Sequence, residues 1–406
     1  MDYPKLRPLD VFPVQAGGRR MICLHDPTGI VADDMLLREP AFAVVSLFDG
    51  HHSVVDIQVE YTRRYGDLIF SDRIRQIAQE LDEHLLLDSE RFAQHRAQLA
   101  KSFAAAKTRP ASHADKSYLG DPDGLRAQLD GYLAGPKGPR GRAAEQVNGP
   151  VRAAVAPHID FQRGGPCYAW TYEALREHCQ AELFVILGTS HFGADVPFTL
   201  TDKDFETPLG LVPGDKPAAQ ALQEATEADL CQDELTHKYE HSVEFQVVWL
   251  QHVFGGRRRF TVLPILCSSL LRIAPDPPGP REAPALQQLV EGLRDVAAQR
   301  PTCFLASADL SHVGRRFGDN HDLSPGYLSL VEQEDRKLLA CAEAGDAEGL
   351  YQAIEKDDDR RNVCGATSLY VLLAAAGVEK GTLLRYEQAV TPKIQTAVTF
   401  ASMVFV

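Results

Sequence analysis

Residues 151–160, VRAAVAPHID, carry the reading on which the fold turns. The apolar run Ala153 to Ala156 stops at Pro157 and hands over to His158 and Asp160; too short for a buried helix and closed by a turn residue, it reads as a strand buried on both faces. The same grammar returns at Leu183 to Leu187, which leads into Gly188-Thr189-Ser190-His191, at Phe260 to Leu266, and at Cys303 to Ala306, which leads into Ser307-Ala308-Asp309-Leu310-Ser311-His312. Helical stretches fall among these runs at Cys167 to His178, Ala218 to Ala225, Ser242 to Val253, Ala283 to Ala298, Leu328 to Ala344 and Ser368 to Ala376. Strands alternating with helices predict an α/β domain over residues 151–406, a three-layer, mostly parallel sheet flanked by helices.

Ligands of such sheets sit beyond the carboxyl ends of the strands, so polar residues directly after the apolar runs should meet in one crevice. His158, His191 and the pair Asp309 and His312 all follow a strand in this way, and Asn362-Val363-Cys364-Gly365 sets a thiol at the start of an apolar helix. Imidazole and thiolate bind first-row metals while leaving positions open. One histidine after a strand is ordinarily structural; three in equivalent topological positions point to a shared site. A separate zinc site on His237, His241 and Glu244 is disfavoured, because the segment lacks the glutamate of an HExxH pair and His237 falls before the helix begins.

Toward the amino terminus the character changes. Residues 106–150 read as a linker with an outer helix over Asp123 to Leu133, followed by a Gly/Pro/basic loop, Gly135 to Arg142. Residues 1–105 read as a small, winged-helix-like α domain. A short extended stretch, Arg20 to His25, precedes an apolar run at Ala41 to Phe48 that ends at Asp49-Gly50; a helix fits Ser53 to Tyr65, and another fits Ser71 to Leu87 with Ser71 as its N-cap and Ile74, Ile77, Ala78 and Leu81 as its buried stripe.

Bulk properties narrow the classes. A chain of 406 residues exceeds what one core usually organises, so two folded units are expected. A formal charge of −14 repels phosphate backbones and anionic membranes, which argues against nucleic acid or membrane partners. No run approaches the ~20 apolar residues needed to span a bilayer and no secretory signal pattern is visible, so a cytoplasmic protein is expected. The eight cysteines form no CxxC pair and are expected to be free thiols. Without GxGxxG after a strand, GxxxxGK[ST] or GxSxG, dinucleotide binding, phosphate-loop chemistry and serine hydrolysis lose support.

At this point a resemblance becomes specific. The blocks "VAPHIDFQRGG", "ILGTSHFG", "HKYEHSVEFQVVWLQ", "VLPIL", "ASADLSHVG" and "VCGATSLYVLL", opened by "SYLGDPDGLRAQLDGYL", match in order the blocks of the Memo family, whose fold is similar to that of class III extradiol dioxygenases. The resemblance implies metal ligands at His158, His191 and Cys364, with Asp309 and His312 beside the metal as orienting and proton-moving residues and with His241 and Glu244 lining the same pocket. It implies Fe(II) as the first choice of metal, with copper or zinc as alternatives, and either a redox enzyme or a non-catalytic peptide-binding adaptor. It further implies a small-molecule or peptide substrate and a radical-SAM protein as companion. Where many family members have "PHAGY", this chain has His158-Ile159-Asp160-Phe161, so Asp160 enters near the first ligand and is expected to bond a histidine or the ion. In the front domain, Phe48-Asp49-Gly50 followed by Ser53-Val54-Val55-Asp56-Ile57 resembles the PqqD-like peptide-recognition domain.

Overall fold

A computed structural model describes residues 2–192, 196–275 and 277–406. Gly193, the last residue of the ILGTSHFG block, lies outside the described residues. The chain divides into two compact units, Met1–Ala105 and Ala106–Val406.

The first unit is a three-stranded antiparallel sheet, β1 (Asp10–Ala16), β2 (Arg19–His25) and β3 (Met35–Leu37), followed by helices α1 (Glu39–Val45), α2 (Val54–Tyr65), α3 (Ser71–Glu83) and α4 (Glu90–Ala105). Ser53 caps α2 and accepts from Asp56 N, while the Asp56 carboxylate accepts from Ser53 N, so both ends of a capping box are closed. Gly66, at φ 68°, ends that helix in the left-handed region, which costs a residue without a side chain little. Leu24, Val44, Ile57, Ile74, Leu81 and Leu87 share the core, each worth ~1.5–3 kcal/mol of burial. Two expectations are corrected. Ser71 lies inside α3, whose N-cap is Phe70, and its hydroxyl donates to Gln58 Oε1. The helix stops at Glu83 rather than Leu87, because Leu85 turns to φ 60° and swings Leu86 and Leu87 back into the core.

The second unit runs β4 (Thr108–Arg109), α5 (Pro122–Ala134), α6 (Arg142–Glu145), β5 (Ala153–Ala156), α7 (Phe161–His178), β6 (Leu183–Thr189), β7 (Phe198–Leu200), β8 (Asp204–Thr207), β9 (Gly210–Val212), α8 (Lys216–Glu224), α9 (Thr236–Tyr239), α10 (His241–Phe254), β10 (Thr261–Cys267), α11 (Leu270–Ile273), α12 (Pro284–Ala298), β11 (Thr302–Ser307), β12 (Asp309–Gly314), α13 (Pro325–Glu343), α14 (Ala347–Glu355), α15 (Ala366–Ala376), β13 (Gly381–Thr391) and β14 (Thr396–Phe405). Its main sheet has eight strands; β5, β11, β6 and β10 lie side by side and parallel, and helices cover both faces. The α/β layering expected from the strand–helix alternation is the architecture found. An antiparallel half joins it: β14 pairs with β5, β12 and β13, and β7 pairs with β10.

Two buried clusters lie on the two faces of this sheet, one on α8, α12, α14 and α15 and the other on α7 and α10. Helix α7 begins at Phe161, ahead of the expected Cys167, with Asp160 as its N-cap and Pro166 in its second turn. Residues 106–150 belong to this unit as more than a connector: β4 pairs with β8, and the Arg109 side chain is fully buried.

Candidate metal centre

His158 follows β5, His191 follows β6, and His241 opens α10; the chain brings the three imidazoles together with donor atoms all within 4.8 Å of one another. The ring centroids are 4.9 Å apart for His158 and His191, 5.6 Å for His158 and His241, and 4.7 Å for His191 and His241. Each ring is held by its Nδ1. His158 Nδ1–H donates to Ser307 O at 2.9 Å, His191 Nδ1–H donates to Glu240 at 3.1 Å, and His241 Nδ1 stands 3.1 Å from Glu240 Oε1. Anchoring Nδ1 to an oxygen fixes the tautomer that leaves the Nε2 lone pair free, the arrangement in which metal-binding histidines are normally supported. The donor chemistry therefore fits a first-row metal ion held by three neutral imidazoles.

Burial drives the His158 ring down to about 3, against a partial lift from Asp309. His191 is also buried, but Glu240 outweighs that penalty and lifts it above the ordinary imidazole value. The Glu240 carboxyl, buried as well, is held well below the usual range by its two histidines. Glu240 accepts in addition from the backbone N–H groups of His191, His241 and Ser242, so it caps α10 and positions two rings at once. Sequence reasoning passed over it; the signal was a carboxylate at the N-cap directly before a histidine.

The expected residues are distributed as follows. Cys364 lies just outside the three-histidine group, its Sγ 3.1 Å from His158 Nε2. Because His158 Nδ1 is the donor to Ser307, the thiol donates to Nε2, and burial pushes that thiol well above its ordinary value. Gly365 makes the approach possible: a Cβ there would stand 2.4 Å from the Ala308 Cβ and 2.6 Å from Asp309 O. Asp309 Oδ1 accepts from His158 N at 2.9 Å, and Oδ2 is 3.8 Å from His158 Nε2. His312 is oriented by Leu310 O at 3.1 Å rather than by Asp309, and burial lowers its pKa despite the nearby carboxylate. Its backbone N–H donates to Arg361 O at 2.6 Å, and its ring lies 5.2 Å from Phe317.

Two expectations are corrected. Asp160 neither bonds a site histidine nor joins the cluster: Oδ1 accepts from Arg163 N and Oδ2 pairs with Arg163 Nε at 2.5 Å, the ordinary role of a helix cap. Glu244 is 1% exposed and turned away from a lining role, with its oxygens taken by Arg109, Tyr118, Ser112 and the backbone of His113. That strut ties residues 109–118 to α10, and Arg109 also donates to the carbonyls of His237 and Glu240. It brings His113 to 5.7 Å from the His241 ring, a neighbour the sequence reading missed. His237 is committed elsewhere, donating from Nε2 to Thr199 O, so the alternative zinc triplet does not assemble. A cavity of ≈170 Å³ opens beside His191 and Cys364, walled by Ser190, Ser269, Leu270 and Thr367. Ser190 Oγ is buried there without a hydrogen-bond partner.

An α/β sheet with a parallel centre, whose strand ends bring two histidines to a third at the start of α10, backed by a carboxylate and bordered by a thiol, defines a protein with a candidate metal-binding centre. The family model for Memo-like proteins matches residues 109–404, and the chain belongs to that family. It is 30% identical over 99% of both chains to a MEMO1 family protein of Aquifex aeolicus. A MEMO1 family protein of Methanopyrus kandleri is 31% identical, covering 72% of this chain and 96% of its own, and one of Pyrococcus furiosus is 29% identical over 63% and 86%. Among the described residues no helix is long and apolar enough to cross a membrane.

Proposed function

We propose that this chain is a metal-dependent redox enzyme whose ion is Fe(II), with copper and zinc as the competing occupants. His158, His191 and His241 would hold the ion, and the carrying observation is that all three rings turn Nδ1 to Ser307 O or Glu240, which leaves Nε2 as the nitrogen with the lone pair, met at His158 by the Cys364 thiol alone. When bound, such an ion supplies Lewis acidity and one-electron exchange to a substrate beside it. The protein's own residues do the rest. Cys364 and His158 share a proton that has to leave before either atom can serve as a ligand. His312, neutral and half-enclosed, can take up or return a proton at the ring nitrogen not bonded to Leu310. The cavity beside Cys364 suits a small group that can satisfy the orphaned Ser190 hydroxyl.

A peptide-linked substrate is proposed from the first unit. Val55, Val59, Leu68 and Phe70 are all more than half exposed on and after α2, an apolar surface of the kind a recognition module presents, and the PqqD-like resemblance assigns it to peptide. The same surface supports a second reading, peptide binding without catalysis. A cytoplasmic setting and a radical-SAM companion go with the first reading as proposals.

Elemental analysis of protein purified anaerobically without chelator tests the proposal. Iron near one per chain is expected, with His241→Ala losing at least tenfold in metal affinity on the scale of a removed ligand or ligand support. A His241→Ala protein that keeps its metal, or a metal-free parent that still binds peptide, would overturn it.

A further inference from the structure

A cavity of ≈640 Å³ opens at the amino ends of the parallel strands, walled by Glu182 before β6, by Arg258, Arg259, Phe260 and Thr261 around the start of β10, and by Arg300 ahead of β11. His158 and His191 follow the carboxyl ends of β5 and β6, so the length of the strands separates the two places. Sheets of this kind ordinarily take ligands at the carboxyl ends, and a second cavity at the opposite end has to be explained by its own residues.

The three arginines differ in how their charge is met. Arg300 pairs with Asp215, which is 3% exposed and already accepts from the Thr261 hydroxyl and from Ala218 N. Among the described residues no carboxylate pairs with Arg258 or Arg259, and Glu182, the acid in the wall, is joined to neither. The guanidinium of Arg258 lies 3.9 Å above the ring of Phe254, with Nε and Nη2 buried and without an acceptor. An aromatic face returns part of what water would have given that charge, but it leaves the two donors unanswered. The carboxyl end of α10, where Phe254 O accepts from Arg257 N and Arg258 N, offers about half a negative charge to set against two guanidinium groups. The backbone N–H groups of Arg259 and Phe260 also find no acceptor among the described residues. Charged and neutral donors without acceptors thus border one cavity, in a chain whose net charge is −14. That combination suits an anion.

We propose that this cavity, independent of the metal centre, binds a small organic phosphate. A phosphate monoester brings close to two negative charges and three acceptor oxygens, enough to answer Arg258, Arg259 and the two N–H groups together; a carboxylate brings one charge and two oxygens. The rest of the wall suits the organic part. Leu211 is half exposed there, beside Pro213 and the ring of Phe260. The volume lies in the ~300–1,000 Å³ range of small-molecule sites and exceeds what an inorganic ion fills.

The test is calorimetric titration of the full chain with phenyl phosphate and, separately, with benzoate, at low and at raised salt. Phenyl phosphate is expected to bind at one site per chain, roughly tenfold more tightly than benzoate, and to weaken as salt rises. Arg259→Met changes an exposed side chain and should weaken binding on the order of tenfold while leaving the urea midpoint where it was. Arg258→Lys keeps the charge but loses the planar set of donors, and a similar loss is expected. His241→Ala should bind phenyl phosphate as the parent does. No binding of phenyl phosphate at millimolar concentration overturns the proposal, as does benzoate binding equally well. Binding that survives both arginine variants but disappears in His241→Ala would put the anion at the histidines and overturn it too.

Discussion

Glu240 shows how much one side chain can decide. It holds two imidazoles by their Nδ1 atoms, caps α10 through two backbone N–H groups, and is itself held in register by Arg109 through its carbonyl. Removing its charge would free two rings to rotate and expose the wrong tautomer to an ion. His237, one turn earlier, gives a residue-scale prediction about pH. Burial lowers it to about 4, with Nε2 bonded to Thr199 O and Nδ1 without a partner. A histidine whose folded value lies below its unfolded value of 6.5 stabilises the fold fully above that value; as pH falls from 6.5 toward 4 the unfolded chain takes the proton first and stability drains away. The loss is on the order of 3 kcal/mol by the worth of each unit. His158, His113, His252 and His312 are lowered in the same sense, so His237→Gln, whose amide can still donate to Thr199 O, should reduce the acid-side slope in urea titrations of metal-free protein without abolishing it. An unchanged slope between pH 6.5 and 4.5 would contradict this account.

At the scale of elements, the four parallel strands were legible because each is a short, unbroken apolar run closed by a turn residue, and the histidines after β5 and β6 were legible for the same reason. What escaped was the antiparallel half. β12 carries Asp309, Ser311 and His312 and reads as a loop; β1 is largely exposed, so no face of it stands out; and the β13–β14 hairpin turns through Thr391 to Gln395 without an Asn-Gly or Asp-Gly signal. Tertiary bonds make β12 a strand. Asp335 of α13, fully buried, accepts from Ser311 of β12, Thr399 of β14, Tyr386 of β13 and Arg361, and Arg361 in turn accepts from His312 N through its carbonyl. Replacing this carboxylate by Asp335→Ala leaves Arg361 with only the half-covered Asp357 as counter-charge and strips three hydroxyls of their acceptor. The expected cost is about 3 kcal/mol, read as a lowered urea midpoint, together with weaker ordering of His312 in its NMR signals. A loss under about 1 kcal/mol would mean that the clamp contributes little to holding the strand.

For the whole molecule, the question is which unit carries which task. Every residue of the histidine cluster and its supports lies beyond Ala106, and the first unit has a core drawn wholly from its own residues, from Leu24 to Leu87. The relatives differ in how much of this chain they cover: the Aquifex protein aligns over 99% of both chains, whereas the Methanopyrus protein is covered over 96% of its length by 72% of this one. A family member can therefore be nearly complete without the additional length found here. The length and composition of the sequence pointed to two units, but the role of residues 106–118 was hidden, because Arg109 looks like a surface linker residue until Glu244, 135 positions later, is seen beside it. The boundary consequently matters to the residue. A chain starting at Ala106 should fold, bind the same amount of metal as the full chain and unfold at the same urea concentration, whereas one starting at Ala114 loses Arg109, Ser112 and His113, leaves Glu244 buried with Tyr118 as its main donor, and should be destabilised by about 3–5 kcal/mol. Metal content and urea midpoints of the two truncations decide the matter: equal stability would show that the Arg109 strut is dispensable, and loss of metal from the longer one would show that the centre depends on the first unit.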